Sequence, residues 1–233
     1  MRIGIIGTGW GTRVQVPAFQ AAGLTIGGIA AQNEAKTRQE AERLGVPAYA
    51  SWRELLSEVD LISIVTPPGT HRELTIAALE AGKHVLCEKP TALNAAEAEA
   101  MLAAAQARPG QLALIDHELR FLPVWQAARA AVQAGEIGIM RHVVSSIVQP
   151  SRADMARPWS WWSDQEQGGG VWGAIGSHQL DTLRFVCGEI DAVSGTLETF
   201  IAERPFEDGT RAVTSDDFAA AQLRFADGGL GSV

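Results

Sequence analysis

Over residues 1–118, apolar runs of strand length alternate with segments of helical period, and this alternation constrains the fold more than any other feature of the chain. Residues 2–6, 24–30, 61–66, 84–87 and 112–115 have the length and apolar content of strands; 34–44, 72–81 and 95–107 have those of helices. The run Asp60-Leu61-Ile62-Ser63-Ile64-Val65 is almost wholly apolar and rich in β-branched residues, which suits a strand covered on both faces. Gly45 and Gly82 stand where helix C-caps are expected. Strand-helix-strand order predicts an α/β fold with a doubly wound parallel sheet. Pro17 falls inside the helix expected after the first strand, where a proline costs ~3 kcal/mol. That helix is therefore expected to kink, or to restart near Pro17.

Beyond residue 115 the pattern changes. Residues 122–134 look helical and close at Gly135, 140–148 resemble a strand, and 150–167 form a tryptophan-rich loop. Helical period returns over 171–186, followed by strand-like runs at 191–200 and 218–225. Two domains are expected: 1–118, and an α+β domain over 119–233 with a mostly antiparallel open sheet. Ala226-Asp227-Gly228-Gly229 reads as a hairpin turn, and its return strand has only four residues. The sheet is accordingly expected to be truncated.

Composition narrows the partners. Hydrophobic residues make up 46% and charged residues 20%, ordinary for a soluble globular protein. A net charge of -8 disfavours nucleic acid and anionic membrane as partners. No apolar run approaches the ~18 residues that would span a bilayer. Cys87 and Cys187 fit no zinc spacing and read as small buried hydrophobes, so no metal site is expected and a reducing cytoplasm is the expected location.

The first strand runs directly into Gly7-Thr8-Gly9-Trp10-Gly11-Thr12. A Gly-x-Gly that follows a buried strand and opens a helix is where a dinucleotide pyrophosphate binds. The first glycine permits the turn, the second lets the backbone approach the phosphates, and the helix N-terminus supplies free N–H groups. The third small residue of that pattern falls at Thr12, with Gly11 one place early. At the end of the second strand an acid would bond the ribose 2′-hydroxyl of NAD; here the residues are Ala31 and Gln32, with Lys36 and Arg38 beyond Glu34. The missing acid favours NADP over NAD. Thr66, Pro67 and His71 are placed on the ligand edge of the sheet, and Glu88 and Lys89 close a later strand at the same edge. Lys89 is suited to donate a proton or polarise a substrate oxygen.

The GTGWG turn, the TPP…H segment, HVLCEKP and GGGVWGAIGSHQLD together resemble the glucose-fructose oxidoreductase/inositol dehydrogenase/MocA (Gfo/Idh/MocA) family, in matching order along essentially the whole chain. The resemblance implies an N-terminal Rossmann domain and NAD(P)-dependent hydride transfer to or from a sugar, cyclitol or related polyol or carbonyl compound. It implies that Lys89 contacts substrate and nicotinamide ribose, that His178 is the catalytic histidine, and that Pro67 and His71 lie at the cofactor edge. It also implies a homo-oligomer for the full-length protein. The family usually carries an aspartate four residues before the histidine, where this chain has Ala174. Asp181, at i+3 from His178, is the alternative acid for the substrate cleft.

In the loop Arg157-Pro158-Trp159-Ser160-Trp161-Trp162, Trp161 and Arg157 are candidate substrate contacts; the same tryptophans would serve equally to pin the loop to the sheet. Arg152 is a further polar candidate in that loop, and His117 is expected to hydrogen-bond structurally at the domain junction. The rival reading is a non-catalytic dinucleotide-binding sensor or partner-binding protein, which Ala174 favours and the pairing of Lys89 with His178 opposes.

Overall fold

A computed structural model describes residues 1–233, the side chain of Ser151 excepted. The chain forms two compact units, Met1–Asp116 and His117–Val233.

The first unit is built on six parallel strands: β1 (Arg2–Ile6), β2 (Thr25–Ala30), β3 (Ala48–Tyr49), β4 (Leu61–Ile64), β5 (His84–Cys87) and β6 (Ala113–Ile115). Their order is β3-β2-β1-β4-β5-β6. The order reverses at β1, which leaves a crevice at the carboxyl ends of the central strands. Helices α1 (Val16–Ala21), α2 (Glu34–Leu44), α3 (Trp52–Ser57), α4 (His71–Glu80) and α5 (Ala95–Gln106) make the connections. Because side chains alternate across a strand, β1 feeds two cores. Ile3 and Ile5 pack with Val16, Ile26 and Ile29 in one, while Ile6 joins Leu55, Ile62, Ile64 and Leu79 in the other. Each such buried side chain stabilises the fold by about 1.5–3 kcal/mol. Cys87 is fully buried, and burial pushes its thiol up to about 12.

Where the alternation of apolar runs is long, the elements fall close to their expected positions. The strand expected over 61–66 ends at Ile64, because the chain already turns at Thr66-Pro67. At Pro17 the helix neither stops nor restarts: a π-helical turn, Gly11–Gln15, passes without a break into α1, whose second residue is Pro17, and the irregularity expected of a proline is the π turn ahead of it. The sequence pattern did not reveal β3 and α3. A two-residue strand has no period, and α3 is held by a cap in which Ser51 Oγ accepts from Arg53 N at 3.1 Å.

The second unit begins with α6 (Pro123–Gln133), then β7 (His142–Val144). A π-helical turn, Trp172–Gly176, leads into α7 (Ser177–Cys187), followed by β8 (Ile190–Glu198), β9 (Glu203–Phe206), β10 (Gly209–Ala212), β11 (Phe218–Phe225) and β12 (Leu230–Ser232). The sheet order is β7-β12-β11-β8; β11 runs antiparallel to β8 and β12, while β12 and β7 are parallel. Leu183 of α7 packs on Ala221, Leu223 and Phe225 of β11. The strand expected over 140–148 shrinks to three residues, and the β9–β10 ribbon, with Pro205 in a charged run, was not foreseen. Among the described residues, no helix is long and apolar enough to cross a membrane.

Candidate functional site

The glycine turn after β1 is shaped by three different demands. Gly7 has φ +125°, and a Cβ there would lie 2.3 Å from Val65 O. Its N–H donates to Ala30 O at 2.9 Å, tying the turn to the end of β2. At Gly11 a Cβ would meet Ile5 Cγ2 at 2.8 Å and Val65 Cγ2 at 3.2 Å, so packing of the turn on the sheet requires glycine. Gly9 differs from both: a Cβ there would meet nothing within 4 Å. The protein itself gives no reason for glycine at this position, whereas close approach of a pyrophosphate to bare backbone does. The residues present therefore fit a dinucleotide. Trp10 is 48% exposed beside this opening.

Thr12, expected as the third small residue facing the cofactor, is fully buried and its hydroxyl donates to Thr8 O at 2.8 Å. It fixes the turn from within, and Gly11 takes the packing role instead.

At the end of β2, Ala31 is half-buried and Gln32 exposed. Asn33 caps α2, its Oδ1 accepting from Lys36 N at 2.9 Å. The first acid, Glu34, is engaged by Arg38 at 2.5 Å, and the Lys36 side chain stands exposed one turn into the helix.

At the next edge, Thr66 Oγ1 and Thr70 Oγ1 share a 2.6 Å hydrogen bond around Pro67 and Pro68. His71 was expected to face the cofactor. It is instead fully buried, with Nδ1 2.9 Å from Pro90 O and Nε2 2.9 Å from Thr66 O. A neutral imidazole can donate to only one of these carbonyls. Burial nevertheless holds the ring below its ordinary pKa, so His71 works as a clip between the Thr66 turn and the segment after Lys89.

Beneath Glu88-Lys89 lies a network that no motif announced. Gln15, on the first helical turn, is buried, and its amide nitrogen donates to Glu88 Oε1 and to Asp116 Oδ2, each at 2.9 Å. Its amide oxygen accepts from Ser63 Oγ at 2.5 Å. One side chain thus joins the ends of β4, β5 and β6. Glu88 Oε2 also accepts from the backbone N–H of half-buried Lys89 at 3.3 Å. Glu88 was expected to touch the cofactor; its carboxylate is turned into this network. A single buried Gln between two helical turns carries no sequence signal that would have marked it.

In the second unit, α7 carries His178 and Asp181. His178 Nε2 lies 3.9 Å from Glu118 Oε1, and its ring stands edge-on to that of His117 at 6.2 Å. Asp181 is 8% exposed, and both its oxygens accept hydrogen bonds from the Arg120 guanidinium. Its Oδ2 is also 3.8 Å from His117 Nδ1. Asp181 was expected to meet substrate; its carboxylate instead orients Arg120 and His117. Ala174 places a buried methyl where the resemblance implies an aspartate. Glu118 and Arg120 complete the constellation, and only their place beside His117 in the sequence hinted at them.

The tryptophan loop is docked by its own contacts. Trp159 donates from Nε1 to Ala212 O at 3.0 Å, stands edge-on to Phe206 at 5.6 Å, and lies under Arg211. Trp161 is half-buried against Trp162 at 5.3 Å, and Arg157 is half-buried nearby in sequence. Pinning to the β9–β10 ribbon accounts for Trp159.

The sheet order and glycine turn define an α/β unit of the Rossmann type, followed in the chain by a mixed-sheet unit. The oxidoreductase family with an NAD-binding Rossmann fold matches residues 1–115, and the Gfo/Idh/MocA C-terminal domain matches residues 125–233. The chain belongs to the Gfo/Idh/MocA family. It is 33% identical to an uncharacterized oxidoreductase of Synechocystis, over 97% of this chain and 62% of that protein. The crystal structure of an oxidoreductase domain protein from Kribbella flavida superposes with a TM-score of 0.92 at 36% identity, covering 99% of this chain and 66% of the other. A levoglucosan dehydrogenase in complex with NADH and L-sorbose gives a TM-score of 0.91 at 30% identity, with 100% and 66% covered. The chain spans 59% to 62% of the length of the first three curated relatives it matches.

Proposed function

We propose that this chain serves a nicotinamide-dinucleotide-dependent oxidoreductase acting on a sugar, cyclitol or related polyol or carbonyl compound. The observation that carries the reading is Gly9, whose missing side chain leaves open space at the mouth of the glycine turn. The backbone of Gly7–Thr12 would hold the pyrophosphate, with Ala31, Gln32 and Lys36 along the adenosine ribose and Thr66 and Pro67 along the nicotinamide side. Bound nicotinamide supplies the hydride chemistry, and the chain's own residues manage position and protons. Lys89 hydrogen-bonds the substrate oxygen and stabilises charge on it. His178 accepts or returns the hydroxyl proton, with Glu118 stabilising its protonated ring. Asp181 acts behind them by fixing Arg120 and His117. Trp161 and Arg157 are assigned to the sugar's outer face. A relative whose structure holds NADH and L-sorbose supports a sugar-like substrate. Lys36, with no acid free at the end of β2, supports NADP over NAD. We assign the cytoplasm as location and a homo-oligomer as the working assembly.

Substituting Lys89→Ala tests the catalytic assignment. Turnover of a polyol or ketose is expected to vanish while dinucleotide affinity stays within about two-fold. Normal turnover by the variant would remove Lys89 from the mechanism. The buried methyl of Ala174 favours one other reading, a dinucleotide sensor without turnover. In a sensor, wild type and variant would both bind dinucleotide and neither would oxidise any polyol.

A further inference from the structure

A cavity lined by both arginines and aspartates lies in the second unit, outside the constellation around His178. Its volume is about 30 Å³, with room for roughly two water-sized atoms, and it is lined by Arg152, Trp162, Arg204, Ser215, Asp216 and Asp217 among others. The Arg152 guanidinium carbon lies over the Trp162 ring, 3.8 Å from its centroid, a cation–π contact that holds the head group at the cavity. Among the described residues, no carboxylate lies within ion-pair reach of Arg152 and no acceptor takes a hydrogen bond from its guanidinium.

The other groups around the cavity are already committed. Arg204 is 5% exposed and spends its donors on Asp154 O at 2.8 Å and Arg152 O at 2.6 Å, pinning the loop to β9. Asp217 accepts from Phe200 N at 2.9 Å and Ile201 N at 2.8 Å, one bond to each oxygen. Asp216 Oδ2 accepts from Trp172 N at 2.7 Å, and burial raises its carboxyl above the usual range. Burial first, then the charges of Arg157 and Arg204, push the Arg152 pKa down to about 10. Arg152 is half-buried beside the charges of Arg157 and Arg204, while the lining carboxylates of Asp216 and Asp217 are taken up by backbone N–H groups, so its unmet donors favour an anion brought in from outside.

We propose that this cavity is a carboxylate-binding site in which Arg152 is the principal ligand-binding residue. The planar fork of a guanidinium matches the two oxygens of a carboxylate, and room for about two water-sized atoms suits those two oxygens better than the tetrahedral bulk of a phosphate. The carboxylate belongs either to a small free acid or to the end of a sugar acid.

Titration of the purified protein with sodium acetate, D-glucuronate, D-glucose and inorganic phosphate, read by tryptophan fluorescence and calorimetry, tests the site. Saturable binding of a carboxylate, with no response to glucose or phosphate, is expected. Arg152→Gln should weaken that binding about ten-fold or more at an unchanged melting temperature. Equal affinity for acetate and glucuronate identifies a free acid as the ligand; binding of glucuronate alone identifies a sugar acid. Should Arg152→Gln fail to fold, phenylglyoxal labelling of wild-type Arg152 decides, because a bound carboxylate must protect it. Carboxylate binding unchanged in Arg152→Gln, no carboxylate binding at all, or labelling without protection overturns the proposal. Parallel titration with NADH reads the dinucleotide site in the first unit, so failure of one assignment is distinguishable from failure of the other.

Discussion

His71 is fully buried between two backbone carbonyls, so its titration bears on stability. Burial is the largest influence on it and lowers its pKa from the ordinary 6.5. A base whose folded pKa is depressed takes up its proton more readily in the unfolded chain. Its stabilising contribution is therefore complete above pH 6.5 and declines as pH falls from there toward the folded value. The melting temperature should drop as pH falls below about 6.5, and His71→Gln should flatten that slope. An unchanged slope in the variant would assign the drop to other groups. Lys36 sets a second prediction at this scale. If it meets a 2′-phosphate, Lys36→Glu should weaken NADPH about ten-fold while leaving NADH nearly unaffected, measured by fluorescence titration. Equal loss for both cofactors would place Lys36 away from the ribose.

Among the elements, Gln15 links the first helical turn to three strand ends. Gln15→Leu leaves Ser63, Glu88 and Asp116 without that amide and should cost about 1–3 kcal/mol in urea denaturation. Gln15→Glu adds a third carboxylate to the pair and should destabilise more at neutral pH, recovering in part as the solution is acidified. A denaturation midpoint unmoved by either change would show the network to be slack. This network also marks where sequence reading stops. The long strands and helices of the first unit were legible because apolar period repeats along them and Gly45 and Gly82, both in left-handed backbone, close α2 and α4. The two-residue β3 and the ribbon containing Pro205 have no period to read. Gln15, Glu118 and Arg120 acquire meaning only through partners distant in sequence. Thr12, His71, Glu88 and Asp181 were legible as belonging to the site region, but which way each side chain turns is decided by burial and hydrogen bonding. The loop tryptophans left two readings open, and the contacts of Trp159 favour pinning.

On the scale of the whole molecule, two units each carry a coherent set of residues: the glycine turn, Lys89 and its supporting network in one, and His178 with Glu118, Arg120 and Asp181 in the other. The nine-residue β8 is an edge strand with Val193 and Leu197 exposed, an arrangement that invites strand pairing between copies. Val193→Lys should reduce concentration-dependent light scattering; scattering unchanged by the lysine would clear this edge. The proposed function depends on the first unit's capacity to hold a nicotinamide dinucleotide at Gly9. The most direct measurement is energy transfer from tryptophan to NADH or NADPH in wild type and Gly9→Val. No protein atom lies within 4 Å of a Cβ at that position, so the variant should fold and melt like wild type. Wild type is predicted to bind at micromolar concentration and the variant at least about ten-fold more weakly. Equal binding by the two proteins, or none by a folded wild type, would contradict the dinucleotide site.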